Sequence, residues 1–472
     1  MFICGRVIKK HFSLVATIAL LFSGPYAYSA QLISYSKAIQ LALNHNPQIQ
    51  GKQASIDVAL GALKRADSMS WPQLGFEFTG ASSDNPMTVF GYKLSQGNAS
   101  FADFGANQYT GSNTLSTKPS ALNHPGYYSN LDTAFKLTAP IYSGGKIRAK
   151  QAQTRALLLA ARHGNEQAKN QLAYELYASY EGFLTANELI RVAEKQVARA
   201  KEFLKTTRVL KKQSITLDSD VLVAEAYLNS SSLGLSNAKI QADNELDGFR
   251  TLIGNPNGVH IPGQHTALKS SMTNSTSLAK QIMSNNPLIK TLCARREAEK
   301  AAILASQALY KPQVNLQLRH DWNGNTFGSG LPSDTVALGA NWTLFSAGER
   351  AGAVQSAIAN SQKVQFELDE QRNQLKLQLK QIMRNEVQLR YELQLSQQMA
   401  EQEEAIIHEL KHRFGRGLVP LSALLDSQMK LTQSKSQKLQ SLHRIRLNQA
   451  HLLMLTNQLI PKAMKMPKAT TL

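Results

Sequence analysis

The chain has 472 residues, of which 43% are hydrophobic and 18% are charged, and its formal net charge is +19. This balance is typical of a folded protein and excludes an intrinsically disordered chain. The basic residues are spread along predicted helices with Glu and Gln between them, so we interpret the charge as a solvated helical surface. Aromatic residues make up 7% and are too dispersed to form stacking platforms for nucleic-acid bases.

The N-terminus has the three parts of a secretory signal peptide. Three basic residues precede an apolar segment at 14–22, and small residues follow at 27–30. This order predicts a signal peptide over 1–29 and export of the mature chain. Cys4 lies within the signal, which leaves Cys293 as the single cysteine of the mature chain. Because neither residue that could become the new N-terminus is a cysteine, we expect no lipid anchor.

The first half of the mature chain is predicted to alternate between helices and one strand pair. Period-two alternation of apolar residues predicts the strands, and residues rich in Gly, Asn and Ser predict the loop between them. The predicted elements are a helix over 35–69 interrupted at Asn46-Pro47, strands over 74–79 and 134–141 joined by a long outer loop over 84–126, a long helix to about residue 207, a turn over 211–219 and a helix over about 220–253.

The same order of elements begins again in the second half. Asn286-Pro287 lies 240 residues after Asn46-Pro47, and the Phe-Ser-Ala-Gly sequence at 345–348 lies 203 residues after the Tyr-Ser-Gly-Gly sequence at 142–145. The difference means that the first hairpin loop is 37 residues longer than the second. A duplicated unit explains this self-similarity. We place its parts as follows: repeats over 30–262 and 263–460, hairpins over about 74–141 and 314–345, helix tips over 208–219 and 413–420, and a C-terminal tail over 461–472.

The longest predicted helix precedes the second tip. Residues 353–414 contain neither glycine nor proline. Leu368, Leu375, Ile382 and Leu389 recur every seven residues there, which is the apolar seam of a coiled-coil-like helix. At 1.5 Å per residue this helix would span roughly 90 Å, more than the depth of a globular core. We expect that one chain cannot bury the seam alone.

Four strands per chain cannot close a barrel and would leave two exposed edges. Three copies would supply twelve strands, an even number within the range of outer-membrane barrels. We therefore predict a mainly α-helical protein with a transmembrane β-barrel, in which a homotrimer forms a twelve-stranded barrel in outer-membrane lipid joined to a helical cylinder. Gly144, Gly145 and Gly348 mark the strand-to-helix junctions, where glycine reaches backbone angles barred to other residues.

Five motifs stand out in the two repeats: Asn46-Pro47, Pro72-Gln73, the junction at 140–145, the segment at 413–419 and Leu424-Leu425-Asp426. In their order and duplication, these motifs resemble the TolC-type trimeric outer-membrane efflux proteins over about residues 32–459. The resemblance implies a twelve-stranded barrel in the outer membrane and a helical barrel crossing the periplasm. It also implies docking to a periplasmic adaptor protein and to an inner-membrane transporter. The sequence at 85–94 is similar to a branch of the family with an enlarged first outer loop.

The resemblance also implies which residues dock the adaptor and which close the periplasmic gate. The tips that would dock the adaptor contain Lys212, Gln213 and Ser214 in the first repeat and Gly415, Arg416, Gly417, Leu418 and Val419 in the second. The family places aspartates after the second tip as rings that close the periplasmic gate. Here the first of these positions is Ala423 and the second is Asp426, so one ring is expected. The alternative role for Asp426 is a favourable charge near the start of a helix opened by Pro420.

Two further aspartates, Asp218 and Asp220, follow the first tip. Lys212 stands where the family has glycine, and the spacing to the aspartates is shifted by two residues. These two acids are therefore either gate residues or helix-start caps, and the departures favour the cap.

Enzyme and cofactor signatures are missing from the sequence. It contains no His-Glu-x-x-His, no Gly-x-Ser-x-Gly and no paired cysteines with metal-ligand spacing. His408 and His412 lie one helical turn apart without a third ligand. We therefore expect neither catalysis nor a metal nor another cofactor.

The predicted function is a passive exit duct for small molecules. A type I protein-secretion duct is an alternative within the same architecture, and a periplasmic coiled-coil adaptor or scaffold is an alternative from another class. The two amphipathic strand pairs favour a duct, because an adaptor has no use for lipid-facing strands.

Overall fold

The computed structural model describes residues 31–109, 111, 116–266, 268 and 274–465, so the predicted signal peptide lies outside the described residues. The first half contains strand β1 (Gln31–Ile33), helices α1 (Tyr35–His45) and α2 (Pro47–Ser68), strand β2 (Gln73–Ser83), helices α3 (Pro86–Ser95) and α4 (Ser120–Asn123), strand β3 (Tyr128–Tyr142), helices α5 (Lys146–Lys212) and α6 (Asp218–Ile253), and strand β4 (His260–Pro262). The second half contains helices α7 (Ser275–Asn285) and α8 (Pro287–Gln307), strands β5 (Gln313–Gly324) and β6 (Leu331–Asn341), and helices α9 (Glu349–Phe414), α10 (Leu421–Leu455) and α11 (Leu459–Met464).

The duplication is visible in an equivalent hydrogen bond that occurs once in each repeat. Asn46 caps α2, and its Nδ2 donates to the Leu252 carbonyl at 2.9 Å. Asn286 caps α8, and its Nδ2 donates to the Leu455 carbonyl at 3.0 Å. In each half the asparagine thus joins the start of one helix to the end of the helix that closes the repeat. A proline at the first helical position favours both starts, because its missing N–H would be unpaired there in any case.

Helices α5 and α9 form the long axis of the molecule, with 67 and 66 residues and lengths of about 100 Å. Helix α6 packs on α5, α10 packs on both α9 and α5, and α8 packs between α5 and α9. Gly182 in α5 permits the close approach of α6, since a Cβ there would lie 2.6 Å from a Glu245 carboxylate oxygen. None of the helices in the described part of the chain has the length and apolar composition needed to cross a membrane.

The heptad seam of α9 is buried within a single chain, so the expectation that it needs neighbouring copies was wrong. Leu368, Leu375 and Ile382 are each at most 4% exposed, and they pack with Ile289 of α8 and Leu452 of α10. Two helices of the same chain flank the seam and already exclude water from it. The opposite side of α9 does remain uncovered, with large apolar side chains exposed at Phe366, Val387 and Tyr391.

Strands β2, β3, β5 and β6 form one antiparallel sheet in that order, which leaves β2 and β6 as open edges. Alternation along the strands separates two faces. The apolar face includes Leu74, Phe76, Phe78, Phe135, Leu318, Val336 and Leu338, all of which are exposed in the single chain. The polar face includes Glu77, Thr79, Asn130, Asp132, Lys136, Arg319, Asp321 and Asn323. Lipid-facing and lumen-facing residues alternate in this way in outer-membrane barrels.

Two predicted boundaries differ from the structure. The outer loop over 84–126 was expected to be irregular, yet it contains α3 and α4. Asn85 caps α3 by accepting hydrogen bonds from the backbone N–H groups of Met87 and Thr88, and Pro86 fills the first helical position. The C-terminal tail was expected to begin at residue 461, but α11 continues to Met464 and buries Ala463.

Candidate functional site

The two helix tips reverse the chain with the same backbone motif. In the first tip, Ser214 has a left-handed φ of 57° and the Ile215 N–H donates to the Leu210 carbonyl at 3.0 Å. In the second, Gly417 has a φ of 71° and the Leu418 N–H donates to the carbonyl of Arg413 at 3.0 Å. Both turns are Schellman motifs, in which one left-handed residue ends the helix. The residues that match between the tips are 203 positions apart, as in the rest of the repeat.

Lys212 stands where the family has glycine, but this lysine does not disturb the backbone of the first tip. Its counterpart in the second tip is Gly415, whose φ of −59° is that of an ordinary helix. A Cβ on Gly415 would meet its nearest neighbour at 3.7 Å, which is normal contact. The backbone at this position therefore accepts a residue with a side chain, and the family's glycine is not needed at Lys212. The reversal depends instead on Ser214 and Gly417.

The tips pack against each other around an apolar centre. Phe203 and Leu210 of α5, Phe414 of α9, and Leu421 and Leu424 of α10 belong to one buried cluster. Next to this cluster lies a groove of about 290 Å³. The residues lining its rim include Ile215, Thr216, Leu217, Gly417, Leu418, Val419 and Pro420.

Apolar side chains at the end of the tips stay exposed in the single chain. Leu217 is 71% and Leu418 is 68% exposed, and Ile215 is also exposed. Gln213 and Arg416 flank them and are exposed as well. An apolar surface with a polar rim is the composition of a protein–protein contact.

Asp218 and Asp220 are engaged at the start of α6. Asp218 forms an ion pair with Lys211, the last but one residue of α5. Asp220 accepts hydrogen bonds from the Leu217 N–H, at 3.2 Å, and from the Thr216 hydroxyl. These contacts satisfy donors at the beginning of the helix, and the negative charges suit its N-terminal dipole.

Asp426 has a different environment, on the exposed surface of α10 and beyond its first turn. Its carboxylate accepts from Lys430 Nζ at 2.8 Å, and this hydrogen bond raises the pKa of the lysine. The matching position in the first tip is Val223, so the acid has no counterpart in the other repeat. Ala423, on the same helix, matches Asp220. Asp426 is therefore an exposed acid with a cation one helical turn away.

The strand-to-helix junctions use left-handed residues. Gly144, Gly145 and Gly348 have φ values of 64°, 92° and 92°. A Cβ on Gly144 would lie 2.7 Å from Lys311 Cβ, so a larger residue would clash there. The matching Ala347 takes a φ of 43° with its methyl group in place.

The polar face of the sheet carries a charge cluster around Arg319. Its guanidinium donates to Glu77 at 2.7 Å and to Asp132 at 2.5 Å, and its Nε lies 3.3 Å from Asp321. Lys136 also donates to Glu77, at 3.2 Å. These contacts cross three strands, so the cluster holds the sheet together on the side that would line a channel.

A second charge cluster lies midway along α5 and was not found in the sequence. The buried Glu181 carboxylate accepts from the Thr266 N–H at 2.7 Å, contacts His265 Nδ1 at 2.5 Å and lies 3.3 Å from Arg446 of α10. No local pattern indicates it, since Glu181 and Arg446 are 265 residues apart. It joins the two repeats. Within the described ranges, no three His, Cys, Asp or Glu side chains are placed to hold a metal ion.

An open sheet with one apolar and one polar face, joined to helices of about 100 Å that end in paired tips, defines an outer-membrane channel with a helical extension. A sequence model described as outer membrane efflux protein matches residues 38–255 and 278–458, the two halves of the duplication. The chain belongs to the outer membrane efflux protein family. It is therefore an outer-membrane channel protein with a periplasmic helical region, and not an enzyme. A search of curated protein sequences found no match.

Solved structures share the fold along nearly the whole chain. CusC, whose structures concern transmembrane channel formation, has a TM-score of 0.76 at 13% identity, over 93% of this chain and 95% of CusC. The outer membrane protein VceC from Vibrio cholerae has a TM-score of 0.75 at 16% identity, over 89% and 95%. The CmeC outer membrane channel from Campylobacter jejuni has a TM-score of 0.74 at 14% identity, over 96% and 94%. At these identities the likeness concerns the fold.

Proposed function

We propose that three copies of this chain form a passive duct that carries small molecules from a periplasmic adaptor and an inner-membrane transporter to the outside. The open sheet carries this proposal. Its edges β2 and β6 have unpaired backbone groups, which are costly in lipid unless a closed barrel satisfies them. If β6 of one copy pairs with β2 of the next, three copies supply twelve strands, with the apolar face outward and the polar face inward.

The tips are the proposed docking surface for the adaptor. They lie at the far end of helices of about 100 Å, and the exposed Ile215, Leu217 and Leu418 give an adaptor an apolar contact. The transporter supplies the energy, since this chain performs no chemistry.

Asp426 is the proposed gate residue, with three copies of the acid around the axis of the closed periplasmic end. Lys430 pairs with each acid and offsets part of its charge. The electrostatic barrier is therefore a ring of ion pairs rather than a ring of bare carboxylates. Asp218 and Asp220 serve the start of α6 in this proposal and not the gate.

The proposal is tested by topology and transport together. An epitope inserted at the exposed His124, near the end of the first outer loop, should bind antibody on intact cells. A strain that lacks this chain should accumulate a small fluorescent efflux substrate, and the wild-type chain should restore its energy-dependent export. Detection of the epitope only after the outer membrane is opened would reverse the topology. Fractionation of the chain as a soluble periplasmic monomer would support the scaffold alternative instead.

A further inference from the structure

The first outer loop folds back across the polar face of the sheet. Helix α3 packs against β3 and β5 rather than extending away from the strand ends, and Val89 of α3 is buried. Lys93 Nζ lies 5.7 Å from the centroid of the Tyr128 ring, which is on the polar face. After the helix, Gly97 approaches the side chain of Leu331 on the polar face of β6, at 3.7 Å from an ideal Cβ. The segment therefore crosses three strands.

A relay of amide hydrogen bonds holds this segment on the sheet. Gln96, which is 8% exposed, donates from Nε2 to the Ser129 carbonyl and to Asn130 Oδ1, both at 2.9 Å. Asn130 donates to Asn323 at 2.7 Å, and Asn323 donates to Asp321 at 2.7 Å. The relay ends at the Arg319 cluster already described. Because buried amides are costly to leave unpaired, this arrangement resists lifting of the loop.

The loop is also held together internally. Lys93 of α3 forms an ion pair with Asp103 at 2.5 Å, and the Asp103 carboxylate accepts from the Ser100 N–H at 2.8 Å. The lysine and the backbone N–H together keep the pKa of Asp103 below its usual range. Helix α3 and the turn that follows it therefore move as one body.

The diameter of the proposed barrel determines how far helix α3 and the turn that follows it narrow the lumen. Twelve strands spaced about 4.8 Å apart and tilted by about 40° give a circumference of roughly 75 Å and a diameter of roughly 24 Å. A helix with its side chains is about 10–12 Å wide. Three such helices on the inner wall narrow the lumen to less than about 10 Å, the width that an extended polypeptide needs if it is taken as the spacing of packed sheets.

We infer that the α3 segment, residues 85–104, is a size filter at the outer mouth, which limits the cargo to small molecules and excludes polypeptides. The inference rests on the proposed trimeric duct. It separates the small-molecule duct from the type I secretion duct, because the latter must pass a protein chain.

The test measures access to the lumen from outside, so a closed periplasmic end does not interfere. Asn315 lies on the polar face of β5, where it pairs with Pro140 and Gly339 near the helical end of the sheet. In a Cys293→Ser background, Asn315→Cys would be labelled on intact cells with a small impermeant maleimide and with a maleimide carried on a bulky polyethylene glycol. We expect labelling by the small reagent and exclusion of the bulky one.

Removal of the loop should abolish this discrimination. Ser83 and Tyr128 are cross-strand partners, so an Asn-Gly turn can replace residues 84–127 without a change of register. Both reagents should then label Asn315→Cys. Equal labelling by the bulky reagent with and without the loop would overturn the filter while the duct remains. Failure of both reagents even without the loop would instead refute the barrel topology on which the proposed function depends.

Point variants test the same inference in case the shortened chain misfolds. Gln96→Ala removes the donor that ties α3 to β3, so it should admit the bulky reagent partly. Tyr109→Ala is the matched control, because Tyr109 lies in the same outer loop but outside residues 85–104 and is 68% exposed. This control should leave the exclusion of the bulky reagent unchanged. Both variants would be compared at equal amounts of outer-membrane trimer. Identical exclusion of the bulky reagent by both would show that the Gln96 hydrogen bonds do not hold the α3 segment in place.

Discussion

The two glycines of the second tip should respond in opposite ways to the same substitution. Gly417 has a left-handed φ of 71°, which costs an L-residue about 1–2 kcal/mol. A Cβ there would also lie 3.1 Å from Ile215 Cγ2, so the two tips must separate slightly. Gly417→Ala is therefore expected to destabilise the tip by about 1–2 kcal/mol. Gly415 has helical angles and free space, so Gly415→Ala should stabilise it by about 0.4–1 kcal/mol.

Hydrogen exchange at the tip reports this difference directly. The Leu418 N–H closes the turn by donating to Arg413, and it exchanges only when the turn opens. Since about 1.4 kcal/mol is a factor of ten in an equilibrium, exchange at Leu418 should be on the order of tenfold faster in Gly417→Ala. In Gly415→Ala it should be unchanged or slower. Equal exchange in the two variants would refute the assignment of the reversal to Gly417.

A bulkier residue at the same place should separate docking from assembly. Gly417→Leu would push against Ile215 and reshape the groove between the tips. We expect loss of export while trimers and outer-membrane insertion persist, as measured by efflux and by native electrophoresis of membrane extracts. Loss of the trimer would show instead that the tip is needed for assembly.

Three further predictions concern assembly, the gate and pH. Detergent-extracted protein should have the mass of three chains by light scattering, because the edges of the sheet need partners, and a stable monomer would contradict this. In planar bilayers, Asp426→Ala should reduce the cation selectivity of the channel and its block by divalent cations. Lys430→Ala should increase both, because the Asp426 carboxylate is then unpaired. Unaltered currents in both variants would leave only a helix-start role for Asp426. Burial lowers the pKa of His443 and of His451. The unfolded chain therefore binds more protons below pH about 6.5, and stability should fall on acidification by at most about 1.4 kcal/mol per pH unit for each histidine. Thermal unfolding of a His443→Asn, His451→Asn double variant should show a flatter pH dependence, and an unchanged slope would refute this origin.

Features that depend on neighbouring residues could be predicted from the amino-acid sequence. The sequence predicts an interruption of the first helix at Asn46-Pro47 and matches it to Asn286-Pro287, because an asparagine followed by proline acts on the helix through its own side chain and backbone. The absence of glycine and proline over 353–414 predicted α9, since either residue would have weakened or broken a helix there. Alternation along the strands predicted the two faces of the sheet. Together these patterns revealed the duplication and the resemblance to the family.

Which surfaces contact each other became clear only from the packing of the folded chain. The seam at Leu368 is apolar whether it faces a neighbouring copy or a helix of its own chain, and only packing showed that α8 and α10 cover it. Gly415 and Gly417 are identical in sequence, but only the second has the left-handed backbone, because the hydrogen bonds of the turn select one position. The path of α3 across the sheet depends on contacts from Gln96 to Asn130 and on to Asn323, 193 residues further along the chain. A local pattern cannot encode contacts of that range, because they form only after the strands between them have paired.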